Sequence, residues 1–131
     1  MKNMLLVDDN ELLLEALVAW FNYQLPDFRI FTGSNGKDGI NILKQTSVDL
    51  IMTDLRMPVM DGFKLIEERN SLCPNTPLVA MTSDYCEEVI DRLKALGVTH
   101  CIEKPFEFNS LADRLLEAMH AAKEPSYALV T

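Results

Sequence analysis

The stretch V-D-L-I-M-T-D-L-R-M-P-V-M-D-G, Val48 to Gly62, carries the first decision about the fold. Leu50-Ile51-Met52 is a short apolar run that ends at one aspartate, Asp54, and a break containing Pro58 and Gly62 follows. A run this short suits a buried strand better than a helix. A carboxylate at the C-terminal end of such a strand lies where open α/β sheets place their ligands.

Working outward, the same rhythm repeats. Met4-Leu5-Leu6-Val7 is a short apolar run that stops at Asp8-Asp9. With Asn10 as N-cap, Glu11 to about Gln24 reads as a helix whose core face is Leu13, Ala16, Leu17, Trp20 and Phe21, closed by Pro26. Phe28 to Phe31 alternates as a second strand, Gly33 to Gly36 is a loop, and Ile40 and Leu43 mark a short helix ending near Thr46. Leu50 to Thr53 is the third strand, with a helix carrying Phe63, Leu65, Ile66 and Leu72 ended by Pro74. Leu78 to Met81 is the fourth strand, and Val89, Ile90, Leu93 and Leu96 belong to a helix stopped by Gly97, at a C′ position. Cys101-Ile102 is a short fifth strand before Lys104-Pro105. Leu111, Leu115, Ala118 and Met119 give a fifth helix that starts near Asn109 or Ser110.

Five alternations of strand and helix imply a parallel sheet covered on both faces, an α/β fold. The 131 residues make about one domain. We assign residues 1–122 to it and read 123–131 as a tail or the start of a linker, in which Tyr127-Ala-Leu-Val stands out. Met1 at the start suggests a natural N-terminus. The net charge of −8 argues against direct nucleic-acid binding and against adhesion to anionic membranes. The first apolar run is too short for a signal peptide, and no stretch approaches a membrane span. Cys73, Cys86 and Cys101 are too widely spaced for a disulfide framework or a zinc site, so reduced, mostly buried thiols in a cytoplasmic protein are expected.

In a parallel sheet all strand C-termini face one edge. Asp8, Asp9, Asp54, Thr82 and Lys104 all fall there. Several carboxylates in one cleft repel unless a cation joins them. Mg²⁺ suits a site with few carboxylates, waters and a phosphate oxygen. With a phosphoryl group present, Asp54 is the nucleophile, Lys104 pairs with Asp54 and then with the phosphoryl group, and Thr82 offers a hydroxyl. Positioning and charge neutralisation are the main requirements of such a transfer.

The motifs V-D-D-N (Val7–Asn10), D-L-R-M-P-V-M-D-G (Asp54–Gly62), M-T-S (Met81–Ser83) and K-P-F (Lys104–Phe106) stand in order at the strand ends. Through them the chain from Met4 to about Ala122 resembles the receiver domain of bacterial two-component response regulators. The resemblance implies a flavodoxin-like (βα)5 fold with strand order 2-1-3-4-5. It implies Mg²⁺ held by Asp9, Asp54 and the Arg56 backbone carbonyl, with Asp8 acting through water, and a cis bond at Lys104-Pro105. It implies phosphoryl transfer to Asp54 from a phosphohistidine on a histidine kinase or phosphotransfer protein, or from a small donor such as acetyl phosphate. Such a domain signals rather than turns over a substrate, its covalent step being its own phosphorylation and dephosphorylation. Its readout is a shifted surface on helix 4, strand 5 and helix 5, where a homodimer can form.

Three features depart from or add to that pattern. Cys101 stands where the family usually carries a switch aromatic, with His100 before it. We expect Cys101 to be a smaller packing residue and His100 a surface or packing residue. Arg56 and Asp84, each two residues past a site residue, are expected to form a lid over the phosphoryl group. Leu12, Leu14 and Val18 are expected to leave an apolar stripe on helix 1 for a phosphotransfer partner, unless they pack on helix 5. Met52, Met57, Met60 and Met81 read as filler. A phosphatase of the aspartyl class needs an acid where Arg56 stands, and a flavin carrier needs a phosphate loop where Asp8-Asp9 stands. The remaining alternative is a receiver-fold scaffold that works without phosphorylation.

Overall fold

A computed structural model describes residues 1–120 of the chain. The elements run β1 (Lys2–Val7), α1 (Glu11–Gln24), β2 (Phe28–Gly33), α2 (Gly36–Gln45), β3 (Leu50–Asp54), α3 (Gly62–Leu72), β4 (Leu78–Thr82), α4 (Glu87–Ala95), β5 (Cys101–Glu103) and α5 (Leu111–Met119). A 3₁₀ turn at Phe108–Ser110 leads into α5. The five strands pair in parallel in the order β2-β1-β3-β4-β5, the expected doubly wound α/β arrangement. The residues assigned to a tail or linker, 123–131, lie outside the described residues, as do 121 and 122.

The strands read as unbroken apolar runs because both faces of the sheet are covered. Alternate side chains then feed two cores. Met4, Leu6, Leu50, Met52, Val79, Met81 and Ile102 join α1 and α5, through Leu14, Leu17, Phe21, Leu111 and Leu115. Leu5, Val7, Ile51, Ala80 and Cys101 join α2, α3 and α4, through Ile40, Phe63, Leu65, Ile66 and Leu93. Each fully buried leucine or isoleucine contributes about 1.5–3 kcal/mol.

Helix starts follow short polar side chains. Asn10 Oδ1 accepts from the Leu13 amide (3.1 Å), Asn35 Oδ1 from that of Asp38 (2.9 Å) and Asp61 Oδ1 from that of Lys64 (2.9 Å). Gly97, just past α4, has φ +81°, a left-handed C′ position. Gly62 is needed for proximity: a Cβ there would strike the backbone of Asp54 and Leu55. That contact holds α3 directly against the end of β3.

Four expectations need correction. Helix α1 is rotated from the face first assigned: Leu14, Leu17 and Phe21 are buried, while Ala16 is exposed. Of the proposed outward stripe, Leu12 is 78% exposed, but Leu14 is buried in the core and Val18 is half-buried against it. The spacing of 14, 17 and 21 is one helical face, and it is the face turned to the sheet. The thiols are also not mostly buried. Cys101 is buried, Cys73 is half-buried, and Cys86 is exposed at the N-cap position of α4. Finally, Gly33 and Gly36 belong to β2 and α2, so the loop between them is only Ser34-Asn35.

Candidate phosphoacceptor site

The C-terminal edge of the sheet brings together all five polar residues singled out from the sequence. Asp8 follows β1, Asp54 ends β3, Thr82 ends β4, and Lys104 follows β5. Oxygen atoms of Asp8, Asp9 and Asp54 lie within 4.8 Å of one another. Asp8 and Asp54 are buried, and Asp9 is exposed. An all-oxygen set of this kind fits a hard divalent cation such as Mg²⁺.

Both buried carboxylates accept from a backbone amide. Asp8 Oδ1 accepts from the Asn10 amide (2.9 Å), and Asp54 Oδ1 accepts from the Leu55 amide (2.9 Å). Lys104 Nζ donates to Asp8 Oδ2 at 2.5 Å and lies 3.5 Å from Asp54 Oδ2. One lysine thus bridges the two buried carboxylates. Burial pushes the Asp54 carboxyl above the usual carboxylate range, and the charge of Asp8 adds to this. Lys104 and the Leu55 amide oppose it. Asp54 is therefore a buried carboxylate in surplus negative charge, eased by one cation, Lys104, and one amide donor, Leu55.

The segments after β3 and β4 are tied to each other. Arg56 Nη2 pairs with Asp84 Oδ2 at 2.5 Å, joining the segment after β3 to the segment after β4. The Asp84 amide donates to Thr82 Oγ1 at 2.9 Å. The expected Arg56–Asp84 pair is thus present. Val59, in the segment between β3 and α3, has φ +68°. The Lys104-Pro105 bond is cis, as the family resemblance implied.

Residues 4–116 match the family model described as the response regulator receiver domain. The chain is a response regulator receiver domain. It is 36% identical over 107 residues to the autoinducer 1 sensor kinase/phosphatase LuxN of Vibrio campbellii, covering 82% of this chain and 12% of that protein. It is 30% identical over 114 residues to the sensor histidine kinase RcsC of Salmonella typhi, covering 85% of this chain and 12% of that protein. The receiver thus spans about an eighth of the length of these curated relatives. In fold it resembles a CheY-like receiver domain protein from Methanospirillum hungatei JF-1, with a TM-score of 0.86 at 20% identity, over 92% of this chain and 94% of that one.

Cys101, which the resemblance set at the switch-aromatic position, is a buried core residue. Burial pushes its thiol up to about 12, so it is a protonated packing group and not a reactive one. His100 is buried too, not on the surface. The backbone amides of Asn10 and Leu55 that grip the carboxylates were not foreseen. Their signal was present only as the Asn10 cap and the sharp break after Asp54. Among the described residues, no helix is long and apolar enough to cross a membrane.

Proposed function

We propose that this receiver accepts a phosphoryl group on Asp54 from a phosphohistidine of a sensor histidine kinase or phosphotransfer protein, in a Mg²⁺-dependent step. The observation that carries the reading is the convergence of the Asp8, Asp9 and Asp54 carboxylates with Lys104 Nζ, 2.5 Å from Asp8 and 3.5 Å from Asp54. Asp8, Asp9, Asp54 and the Arg56 carbonyl would hold the ion. Bound Mg²⁺ supplies positive charge to the phosphoryl oxygens.

The chain's own residues do the rest. An Asp54 oxygen attacks phosphorus. The phosphorus–nitrogen bond breaks, the donor imidazole keeps the bonding pair, and Asp54 becomes an acyl phosphate. Lys104, already between Asp8 and Asp54, is placed to turn toward the new charge. The Thr82 hydroxyl accepts from the Asp84 amide and keeps its own proton for a phosphoryl oxygen. Drawing Thr82 and Lys104 inward biases α4, β5 and α5 toward a second arrangement, a shift between pre-existing states. That face is our candidate for a phosphorylation-dependent homodimer, and Leu12 on α1 for contact with the phosphodonor. Three free thiols, one of them exposed, fit a reducing cytoplasm.

Incubation with acetyl phosphate and Mg²⁺, followed by intact-mass analysis, tests this. The wild type should gain the mass of one phosphoryl group, lose that gain in EDTA, and show none as Asp54→Asn. Equal labelling of Asp54→Asn would refute the acceptor assignment, and no labelling of the wild type would favour a phosphorylation-independent scaffold.

A further inference from the structure

A cavity of about 320 Å³ borders the phosphoacceptor site. Its lining comes from three places in the chain: Asn10 and Leu13 at the start of α1, Ser83 after β4, and Lys104, Pro105, Phe106 and Phe108 between β5 and α5.

Three of these residues tie the cavity to the reacting centre. Lys104 Nζ lies 3.5 Å from Asp54 Oδ2. Ser83 follows Thr82 in the chain. The Asn10 amide donates to Asp8 Oδ1 at 2.9 Å. The other four are apolar, and the transfer to Asp54 described above uses none of them. Leu13, Phe106 and Phe108 are half-buried and pack against the core under α1 and α5. The Phe106 and Phe108 ring centroids are 5.9 Å apart, and the Trp20 ring meets that of Phe108 edge to face, also at 5.9 Å. These ring contacts exist without a ligand, so the apolar lining is preformed.

A small anionic phosphodonor needs two complements. Its phosphoryl group needs positive charge, which Lys104 carries at the border of the cavity. Its leaving group departs from the side of phosphorus away from the attacking oxygen, because attack and departure are roughly in line. The single methyl of acetyl phosphate would leave most of an apolar cavity of this size without a complement.

We propose that this cavity is a leaving-group subsite for small phosphodonors, and that it selects acyl phosphates with an apolar chain longer than that of acetyl phosphate. The inference rests on Asp54 being the acceptor. An Asp54 oxygen forms a bond to phosphorus, the bond between phosphorus and the acyl oxygen breaks, and the carboxylate leaves with the bonding pair. No proton has to move. The chain of the leaving carboxylate lies on Leu13, Pro105, Phe106 and Phe108 while Lys104 pairs with the phosphoryl group. The volume, at the lower end for ligand pockets, restricts that chain to a few carbons.

The test compares butyryl phosphate with acetyl phosphate as donors to the full chain, at equal and subsaturating concentration, pH and Mg²⁺, read as the initial rate at which phosphorylated mass appears. Butyrate and acetate are leaving groups of nearly equal basicity, so intrinsic reactivity does not separate the two donors. The two extra methylenes should make butyryl phosphate faster by about tenfold. Leu13→Gln and Phe106→Ala, in different segments of the lining, are read as the ratio of the two rates, which cancels any general loss of activity. Each should bring the ratio toward one. Equal rates in the wild type, or an undiminished ratio in folded variants that still label, would overturn the subsite and leave Asp54 as acceptor. Labelling by neither donor, or equal labelling of Asp54→Asn, would overturn both readings.

Discussion

Asp54 shows how a single side chain can be unfavourable to the fold and necessary to the proposed chemistry. Its ionised form is opposed first by burial and then by Asp8, while Lys104 only partly offsets both. Removing that charge should stabilise the metal-free protein. Asp54→Asn keeps the shape and the oxygen that accepts from the Leu55 amide, so we expect a higher unfolding free energy than in the wild type. Denaturant unfolding in EDTA measures it, and a loss of stability would mean that Lys104 outweighs the repulsion. His100 gives the opposite kind of prediction. Burial holds its pKa below the ordinary value; Arg114 on α5 acts in the same direction, and Glu117 opposes it. Arg69, on α3, lines one cavity with His100. The unfolded chain takes up a proton near pH 6.5 while the folded chain does not. This contribution is fully present above about pH 6.5 and is lost as the pH falls through and below it. Unfolding measured at about pH 7.5 and pH 5.5 should show a smaller loss on acidification for His100→Gln than for the wild type. An equal loss would place the sensitivity elsewhere.

The elements differ in how far their sequences specify them. Each strand is an apolar run of a few residues cut off by a polar one, so β1, β3 and β4 and the site residues at their ends were legible. The alternation of Leu5 and Val7 against Met4 and Leu6 then follows from strand geometry. Helix α1 was legible in extent but not in rotation, because Leu12, Leu13, Leu14, Leu17 and Val18 surround most of its circumference. Only packing against β1, β3 and α5 selects Leu14, Leu17 and Phe21. That Arg69 and His100 line one cavity was not legible at all, since the two lie 31 positions apart in sequence and come to the same edge only through the folded sheet.

Two loop predictions belong at this scale. The Arg56–Asp84 pair joins the segments that follow β3 and β4, and as a lid it would shield an acyl phosphate on Asp54. Arg56→Ala should therefore speed loss of the phosphoryl group severalfold, followed by the decay of the phosphorylated mass after the donor is removed. Equal decay rates would discard the lid. Val59 is a β-branched residue at φ +68°, a conformation that costs about 1–3 kcal/mol. It is also well exposed, at 80%. Val59→Asn should raise the unfolding free energy by about 1 kcal/mol, since asparagine tolerates the left-handed region. Unchanged or lower stability would show that the backbone relaxes without cost.

For the whole molecule, one parallel sheet separates two edges with different chemistry. At one edge, Asp8, Asp9, Asp54, Thr82 and Lys104 arrive from four strands. At the other, Arg69 and His100 line a cavity with Leu78, Val98 and Met119. Between these edges lie the two cores, one under α1 and α5 and the other under α2, α3 and α4. The order of the strands makes this possible, because β1 and β3 at the centre place the acidic residues beside each other and β4 and β5 bring Thr82 and Lys104 to them. The receiver's relatives include sensor kinases in which the matching unit is about an eighth of the chain. The account stands or falls on where the phosphoryl group is carried. Borohydride reduction of the acetyl phosphate-treated protein, followed by peptide mapping, decides it, because an acyl phosphate is reduced to an alcohol while an unmodified carboxylate is not. The account predicts homoserine in place of Asp54 and at no other aspartate, only when Mg²⁺ was present during phosphorylation. Reduction at Asp8 or Asp9, or none anywhere in a protein that retained its fold, would contradict it.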